Sequence, residues 1–578
     1  MASSGVTRNL RSTPVDGYPT PTSALQSSTE TILVKHLPIV TSADVPVGEG
    51  EASGQGPALN RQLHLQYLLR NLLQGFPARY ASQDASQPWL IFWTLQAFSI
   101  LGVGLDDRTK QRARESLLAM QHPNGGFGGG PGQAPHLLPT YASVCALAIV
   151  GHPGKGGAWE GIDRKKLYDF FMSLKQPDGS FLVAQYAEVD MRGLYCLLAV
   201  ATLLNLMTPE LLSGIPEFIA SCQTFEGGFG NASFSEWAFQ SDGSSVSYDP
   251  SAPRPVIGEA HGGYTFCAAA SWVLLRPYLR LYYDPSSHAP KSLSASIIRR
   301  PPPTMKLLAL LRWLSNMQGI ETELGGFKGR TNKLVDGCYS WWVGGCFGLV
   351  EGLMGPASAA GTESEGKHEL HADEDGWDDV DDALLNREAL QEYILYAGQH
   401  PAGGLRDKPP KYVMCFDSRH RIPDMSGLLP SLATLSMVDH RVSPDEMRRD
   451  NLLRAWKSTV TEGEAIGAAP ISEEQIRFET FQKEVFANAL CWLEDEGSDK
   501  YVGGNVNRLN ATQPLFNLTV THSEQMMAHF YGQTISPRTA RNPPKCNKSS
   551  PPDSLVAGAK SNITAARGLC CQSPDFIS

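Results

Sequence analysis

The sequence predicts an all-α protein whose helices are paired and wound into a closed ring. Three observations carry this reading. A Gly-rich turn recurs along the chain, and each turn leads into an apolar helical stretch. Of the 578 residues, 42% are hydrophobic, enough for a large buried core.

Taken in order, residues 1–57 are rich in Ser, Thr, Pro and Gly, show no periodic apolar pattern and are expected to be disordered. The ring is expected over residues 58–535. Within it, "QHPNGGFGGG" from Gln121, "KQPDGSFLVA" from Lys175, "CQTFEGGFGN" from Cys222, "MQGIETELGGFKGR" from Met317 and "GQHPAGGLRDKP" from Gly398 share one outline. Each has a Gln or Lys-Gln helix end, a Gly-rich turn, then Phe or Leu. Phe127, Phe181 and Phe229 are 54 and 48 residues apart, and Phe327 follows 98 later, about two further units. A period near ~50 residues is the mark of a repeat architecture. The stretches that follow, "TYASVCALAIVG", "MRGLYCLLAVATLL", "YTFCAAASWVLL" and "CYSWWVGGCFGLVEGL", are apolar nearly all round. Such helices are buried on both sides, so they form the inside of the ring, with the turns gathered at one end. Residues 355–382 are strongly acidic and read as a solvated, disordered insertion, and residues 536–578 as a disordered tail.

The net charge of −10 and pI near 5.8 argue against nucleic acid as the main partner. No N-terminal segment joins a basic start to an apolar run, so no secretory signal is expected. The longest apolar stretches, such as Leu194 to Met207, fall short of the ~20 residues that span a bilayer. Eleven cysteines show no disulfide-framework spacing, which suits reduced thiols in the cytoplasm.

The chemistry concentrates in "GRTNKLVDGCYSWWVGG", Gly329 to Gly345. Zinc accepts Asp and Cys ligands and, at catalytic sites, three protein ligands with one open position. Asp336 and Cys338 are two apart, so both reach one ion only if a helix begins there or is locally irregular. A buried Cys is otherwise a small hydrophobe. Arg330 and Lys333 are three apart and would share a face of a helical turn. Two cations beside Trp341 and Trp342 suit a diphosphate joined to a hydrocarbon. Trp89 and Trp93 in "DASQPWLIFW", Arg192 and Tyr195 in "EVDMRGLYC", and His261, Tyr264 and Cys267 in "EAHGGYTFC" extend that wall. Aromatic stripes are more often core than ligand site. A core, however, seldom holds Arg192, His261, Arg330 and Lys333, because unpaired buried charge is costly.

These segments, with "GGLRDKP" and "PLFNLTVTHSEQMMAHFYGQ", closely resemble the signature segments of the protein farnesyltransferase β-subunit family over most of residues 60–535. The resemblance implies an α/α (α6–α6) barrel, paired obligately with a farnesyltransferase α subunit. The pair would transfer farnesyl from farnesyl diphosphate to the cysteine of CaaX-terminated proteins. It implies Asp336 and Cys338 as zinc ligands, and His261, Gly263, Arg330, Lys333 and Tyr339 at the diphosphate. Trp89, Trp93, Arg192, Tyr195, Tyr264, Cys267 and Trp342 would line the lipid and peptide cavity, and Asp407 matches an acid linked to magnesium. Trp89 stands where the family has a large aromatic, which favours farnesyl over the longer geranylgeranyl.

The third zinc ligand of the family is a His in a Tyr-His-Thr-Cys-Tyr-Cys segment that is absent here. Anchoring on Ser426-Gly427-Leu428 puts His420 in its place, but Arg419 and "RIPDM" do not match the flanks, and Pro423 would break a helix. His420 is therefore either a ligand in a distorted context or an exposed loop residue, unless residues 412–437 reflect a reading-frame or splice error. His371 and His400 are poorer candidates. The rival readings are a geranylgeranyltransferase type I β subunit, a terpene cyclase using "DVDD" (Asp379 to Asp382), and a barrel without catalytic function.

Overall fold

Each Gly-rich turn folds into the same small device, in which a bridge joins the helix-end residue to the buried Phe or Leu. The pairs are Gln121 with Phe127, Lys175 with Phe181, Gln223 with Phe229, Gln318 with Phe327, and Gln399 with Leu405. The computed structural model describes residues 10–11, 13–37, 56–76, 78–233, 254–283, 303–354, 384–406, 432–433, 435–458, 472–494 and 501–535. The acidic insertion, the tail, Asp407 and His420 lie outside the described residues.

In chain order the helices are α1 (Pro21–Val34), α2 (Arg61–Gln74), α3 (Gln87–Ile100), α4 (Asp107–Leu118), α5 (Leu137–Val150) and α6 (Arg164–Leu174). They continue with α7 (Met191–Leu203), α8 (Pro209–Leu212), α9 (Ile215–Ser221), α10 (Gly262–Tyr282), α11 (Leu307–Met317) and α12 (Gly337–Met354). The last four are α13 (Arg387–Glu392), prolonged by a π-helical turn Tyr393–Gly398, α14 (Glu446–Ala455), α15 (Glu473–Leu490) and α16 (Val520–Phe530). The apolar helices pack side by side in the order α3, α5, α7, α10, α12, and their side chains form the buried core. A sixth inner position holds residues 435–439, which are helical. There Ser436 Oγ donates to the Asn510 carbonyl at 2.6 Å, and Asn510 N–H donates to the Ile100 carbonyl at 2.9 Å, tying this position back to α3.

The turns close the ring because they are glycine. A Cβ on Gly125, Gly227 or Gly403 would stand 2.1, 2.0 or 2.2 Å from the carbonyl oxygen of Lys166 (α6), Ala309 (α11) or Leu63 (α2). Each of the three also has positive φ, which L side chains rarely adopt. The Gly403 contact sets the last turn on the first outer helix. Buried His64 of α2 reinforces it, its Nδ1 accepting from Gly404 N–H at 3.0 Å and its Nε2 lying 3.0 Å from Gln399 Oε1.

Residues 1–57, expected to be disordered, contain α1, which packs on the Glu321–Glu323 turn. Thr20 caps it through a capping box with Ser23, Pro21 opens it, and Leu25, Thr29 and Ile32 recur at helical spacing. Gln26 donates to Glu323 at 2.7 Å, Arg11 pairs with Glu321 at 2.6 Å, and Leu33 is fully buried. The Ser/Thr-rich composition conceals that short apolar stripe. Among the described residues no helix is long and apolar enough to cross a membrane.

Candidate active site

Four inner helices start with the same cap. His136 Nδ1 accepts from Leu138 N–H at 3.1 Å, Asp190 Oδ1 from Arg192 N–H at 2.7 Å, His261 Nδ1 from Gly263 N–H at 3.0 Å, and Asp336 Oδ1 from Cys338 N–H at 3.1 Å. Such a cap stabilises a helix by about 1 kcal/mol. It also gathers the helix N-termini, with their partial positive charge, at the turn end of the ring. Helix α12 begins at Gly337, between Asp336 and Cys338, the condition under which both side chains can reach one ion. Arg330 and Lys333 do not share a helical face as expected. They ride the turn ahead of α12, closed by a bridge from Lys328 to Val335 and bent at Asn332 with φ 60°.

Three of the expected residues meet directly. Burial and the nearby Arg330 and Arg192 charges hold the His261 imidazole down at about 4, so it is neutral near pH 7. Since its Nδ1 accepts from Gly263, the ring proton sits on Nε2 and is donated to Tyr339 Oη at 3.0 Å. The Tyr339 hydroxyl proton is thereby turned away from His261. Tyr264 lies beside His261, ring centroids 4.8 Å apart. The Arg192 guanidinium stands 5.4 Å above the Tyr264 ring. It is held by a two-pronged pairing with buried Asp190, at 2.6 Å and 3.1 Å, which also raises the Arg192 pKa. Arg330 pairs with Glu259 at 2.6 Å, and both are exposed enough to exchange partners. Lys333 is exposed on the same turn as Arg330.

Below the cluster, rings form a ladder across five inner helices. Successive centroids from Trp93 to Trp89, Tyr141, Tyr195, Phe266 and Trp342 are 5.7, 5.6, 5.5, 5.6 and 5.4 Å apart. Tyr141, Tyr195 and Phe266 each lie five residues past their helix cap, hence about 7 Å below the rim. Trp89, Trp93 and Trp342 are only half-buried, so this stripe keeps an open face, unlike a closed core. Burial raises the Cys267 thiol pKa strongly, which keeps it a neutral wall group. Of the seven described cysteines, Cys338 alone is not buried.

Asp336 and Cys338 match zinc in donor chemistry: a carboxylate and a partly exposed thiol flank the first residue of a helix. Among the described residues, however, no three His, Cys, Asp or Glu side chains converge. The expected third ligand His420 and the magnesium-linked Asp407 lie outside them. Four contributors were not singled out by the sequence: Asp190, Glu259, Gly329 and Tyr141. A Cβ on Gly329 would fall 2.0 Å from Tyr339 Cζ, so the turn must be bare where that ring crosses it. Only Asp190 left a local signal, the Asp or His that recurs just ahead of four of the inner helices.

Comparison with known proteins is consistent across the chain. The prenyltransferase alpha-alpha toroid domain family matches residues 59–518. The protein farnesyltransferase subunit beta of Pyricularia oryzae is 35% identical over 433 residues, 72% of this chain and 70% of that protein. The subunit of the same name from Schizosaccharomyces pombe is 36% identical over 360 residues, 62% of this chain and 75% of its own length. The geranylgeranyl transferase type-1 subunit beta of Arabidopsis thaliana is more distant, 28% identical over 50% of this chain and 72% of its own.

Proposed function

The chain belongs to the prenyltransferase alpha-alpha toroid family, among the protein farnesyltransferase β subunits, and on that premise we propose how its residues carry out farnesyl transfer. The substrates are farnesyl diphosphate and proteins ending in a CaaX cysteine motif, and the working form is a cytoplasmic heterodimer with an α subunit. The observation that carries the reading is the cationic rim of Arg192, Arg330 and neutral His261 set directly over the half-open aromatic ladder. An anionic head joined to a branched hydrocarbon matches both halves at once.

In this reading Arg192, Arg330 and Lys333 bind the diphosphate. Tyr339, oriented by His261 Nε2–H, donates its hydroxyl proton to a diphosphate oxygen. The bond between C1 of the farnesyl group and that diphosphate breaks while the substrate sulfur bonds C1, and the thiol proton leaves to solvent. Preplaced donors stabilise the negative charge that grows on the leaving group. The ladder from Trp93 to Trp342 holds the hydrocarbon and excludes water. Asp336 and Cys338, with His420 as third candidate, would hold a zinc ion that supplies the substrate thiol as a thiolate, and Asp407 would serve a magnesium ion at the diphosphate.

The test is transfer by the co-purified heterodimer. Farnesyl diphosphate and a CaaX peptide should give a peptide one farnesyl group heavier, joined through the cysteine sulfur. Transfer of geranylgeranyl in preference to farnesyl, or no thioether product, would overturn the proposal.

A further inference from the structure

The floor beneath the ladder is built by residues more than 300 positions away. Strands β1 (Thr512–Gln513) and β2 (Leu518–Thr519) form a hairpin whose tip, Leu515 and Phe516, is fully buried between the inner helices. Tyr141 Oη donates to the Phe516 carbonyl at 2.8 Å, and Tyr195 Oη donates to the Leu515 carbonyl at 3.0 Å. The two central rings of the ladder are thus tied by their only hydroxyl protons to the hairpin tip. Their height follows the tip.

Gln513 holds that tip. Its side chain is 1% exposed. Its Oε1 accepts from Phe516 N–H at 3.0 Å, and its Nε2 donates to the Ala489 carbonyl in α15 at 2.9 Å. One amide therefore spends both ends clamping the hairpin to the helix behind it. We propose that Gln513 is a positioning residue for lipid length: by clamping the 513–518 hairpin it sets the level at which Tyr141 and Tyr195 close the cavity. This rests on the isoprenoid reading of the site and names the part of the chain that measures the isoprenoid.

Removing the clamp should let the floor sink and admit one more isoprene unit. The heterodimer is compared with its Gln513→Leu and Tyr195→Phe variants. The readout is competition of farnesyl and geranylgeranyl diphosphate against a fluorescent isoprenoid diphosphate. The preference for farnesyl, as a ratio of the two Kd values, should fall about tenfold in Gln513→Leu and about threefold in Tyr195→Phe. A lower Tm alone would reflect a structural role, so only the ratio decides. Wild-type ratios in both variants would overturn the inference, and if Gln513→Leu does not fold, a wild-type ratio in Tyr195→Phe does so alone. Transfer to a CaaX peptide is a separate arm. Failure of the wild type there contradicts the proposed reaction, whereas an unchanged ratio contradicts only the role of Gln513.

Discussion

At the rim, Arg192, Arg330 and Lys333 carry charge into partly exposed positions, and neutral His261 orients Tyr339. At the floor, Tyr141, Tyr195 and Gln513 are buried and donate to the chain's own backbone carbonyls. The two levels are separated by about one and a half helical turns, roughly 7 Å. The difference teaches a division of labour. Groups whose polarity is still available recognise charge, and groups whose polarity is already spent fix shape. Disturbing one level should leave the other's property in place.

The largest effect belongs to Cys338→Ala. Transfer should fall at least about 100-fold, while lipid diphosphate affinity stays within about threefold, as steady-state kinetics and direct binding would report. Lipid affinity falling in step with transfer would erase the distinction between thiol chemistry and lipid capture. Next, Arg330→Ala removes a charged hydrogen-bond donor worth about 1.5–3 kcal/mol. Diphosphate affinity should drop about 10- to 100-fold, with the preference between the two lipids unchanged. Gly329→Ala would drive a methyl into the Tyr339 ring and cost about 1–3 kcal/mol if the ring stays. Slower transfer of about tenfold is expected as the ring yields, and unaltered kcat would exclude Tyr339 from the reaction.

How much of this was legible follows the range of each interaction. The turn device and the buried inner helices were readable because they repeat along the chain. The Asp336–Cys338 start of α12 was readable because Gly337 separates its members. The Arg330–Lys333 turn was misjudged as helical, since a three-residue spacing is neutral between a helix and a turn bent at Asn332. Glu259 opposite Arg330, and Leu515 beneath Tyr195, are pairings across 71 and 320 residues, and no local pattern announces them. The docked α1 was hidden by composition.

The smaller effects fall at the floor and in pH. Tyr141→Phe keeps the ring but strands the buried Phe516 carbonyl. Stability should fall about 1–2 kcal/mol in denaturant unfolding, with Arg330-dependent binding intact. His261 is held near 4 against an ordinary value of about 6.5. Between these values the unfolded chain binds more protons, so this contribution to stability is complete above pH ~6.5 and is lost as pH falls toward 4. Diphosphate affinity should therefore show no His261 titration from pH 6 to 8. A step near pH 6.5 that disappears in His261→Asn would mean an imidazolium at the rim.

The most direct test of the division between rim and floor is a crystal structure of the heterodimer with a non-transferable farnesyl diphosphate analogue. The diphosphate should lie among Arg192, His261, Arg330 and Tyr339, with the last isoprene unit against Trp89, Tyr141 and Tyr195. A diphosphate bound away from these residues, or a hydrocarbon outside the ring of inner helices, would contradict it.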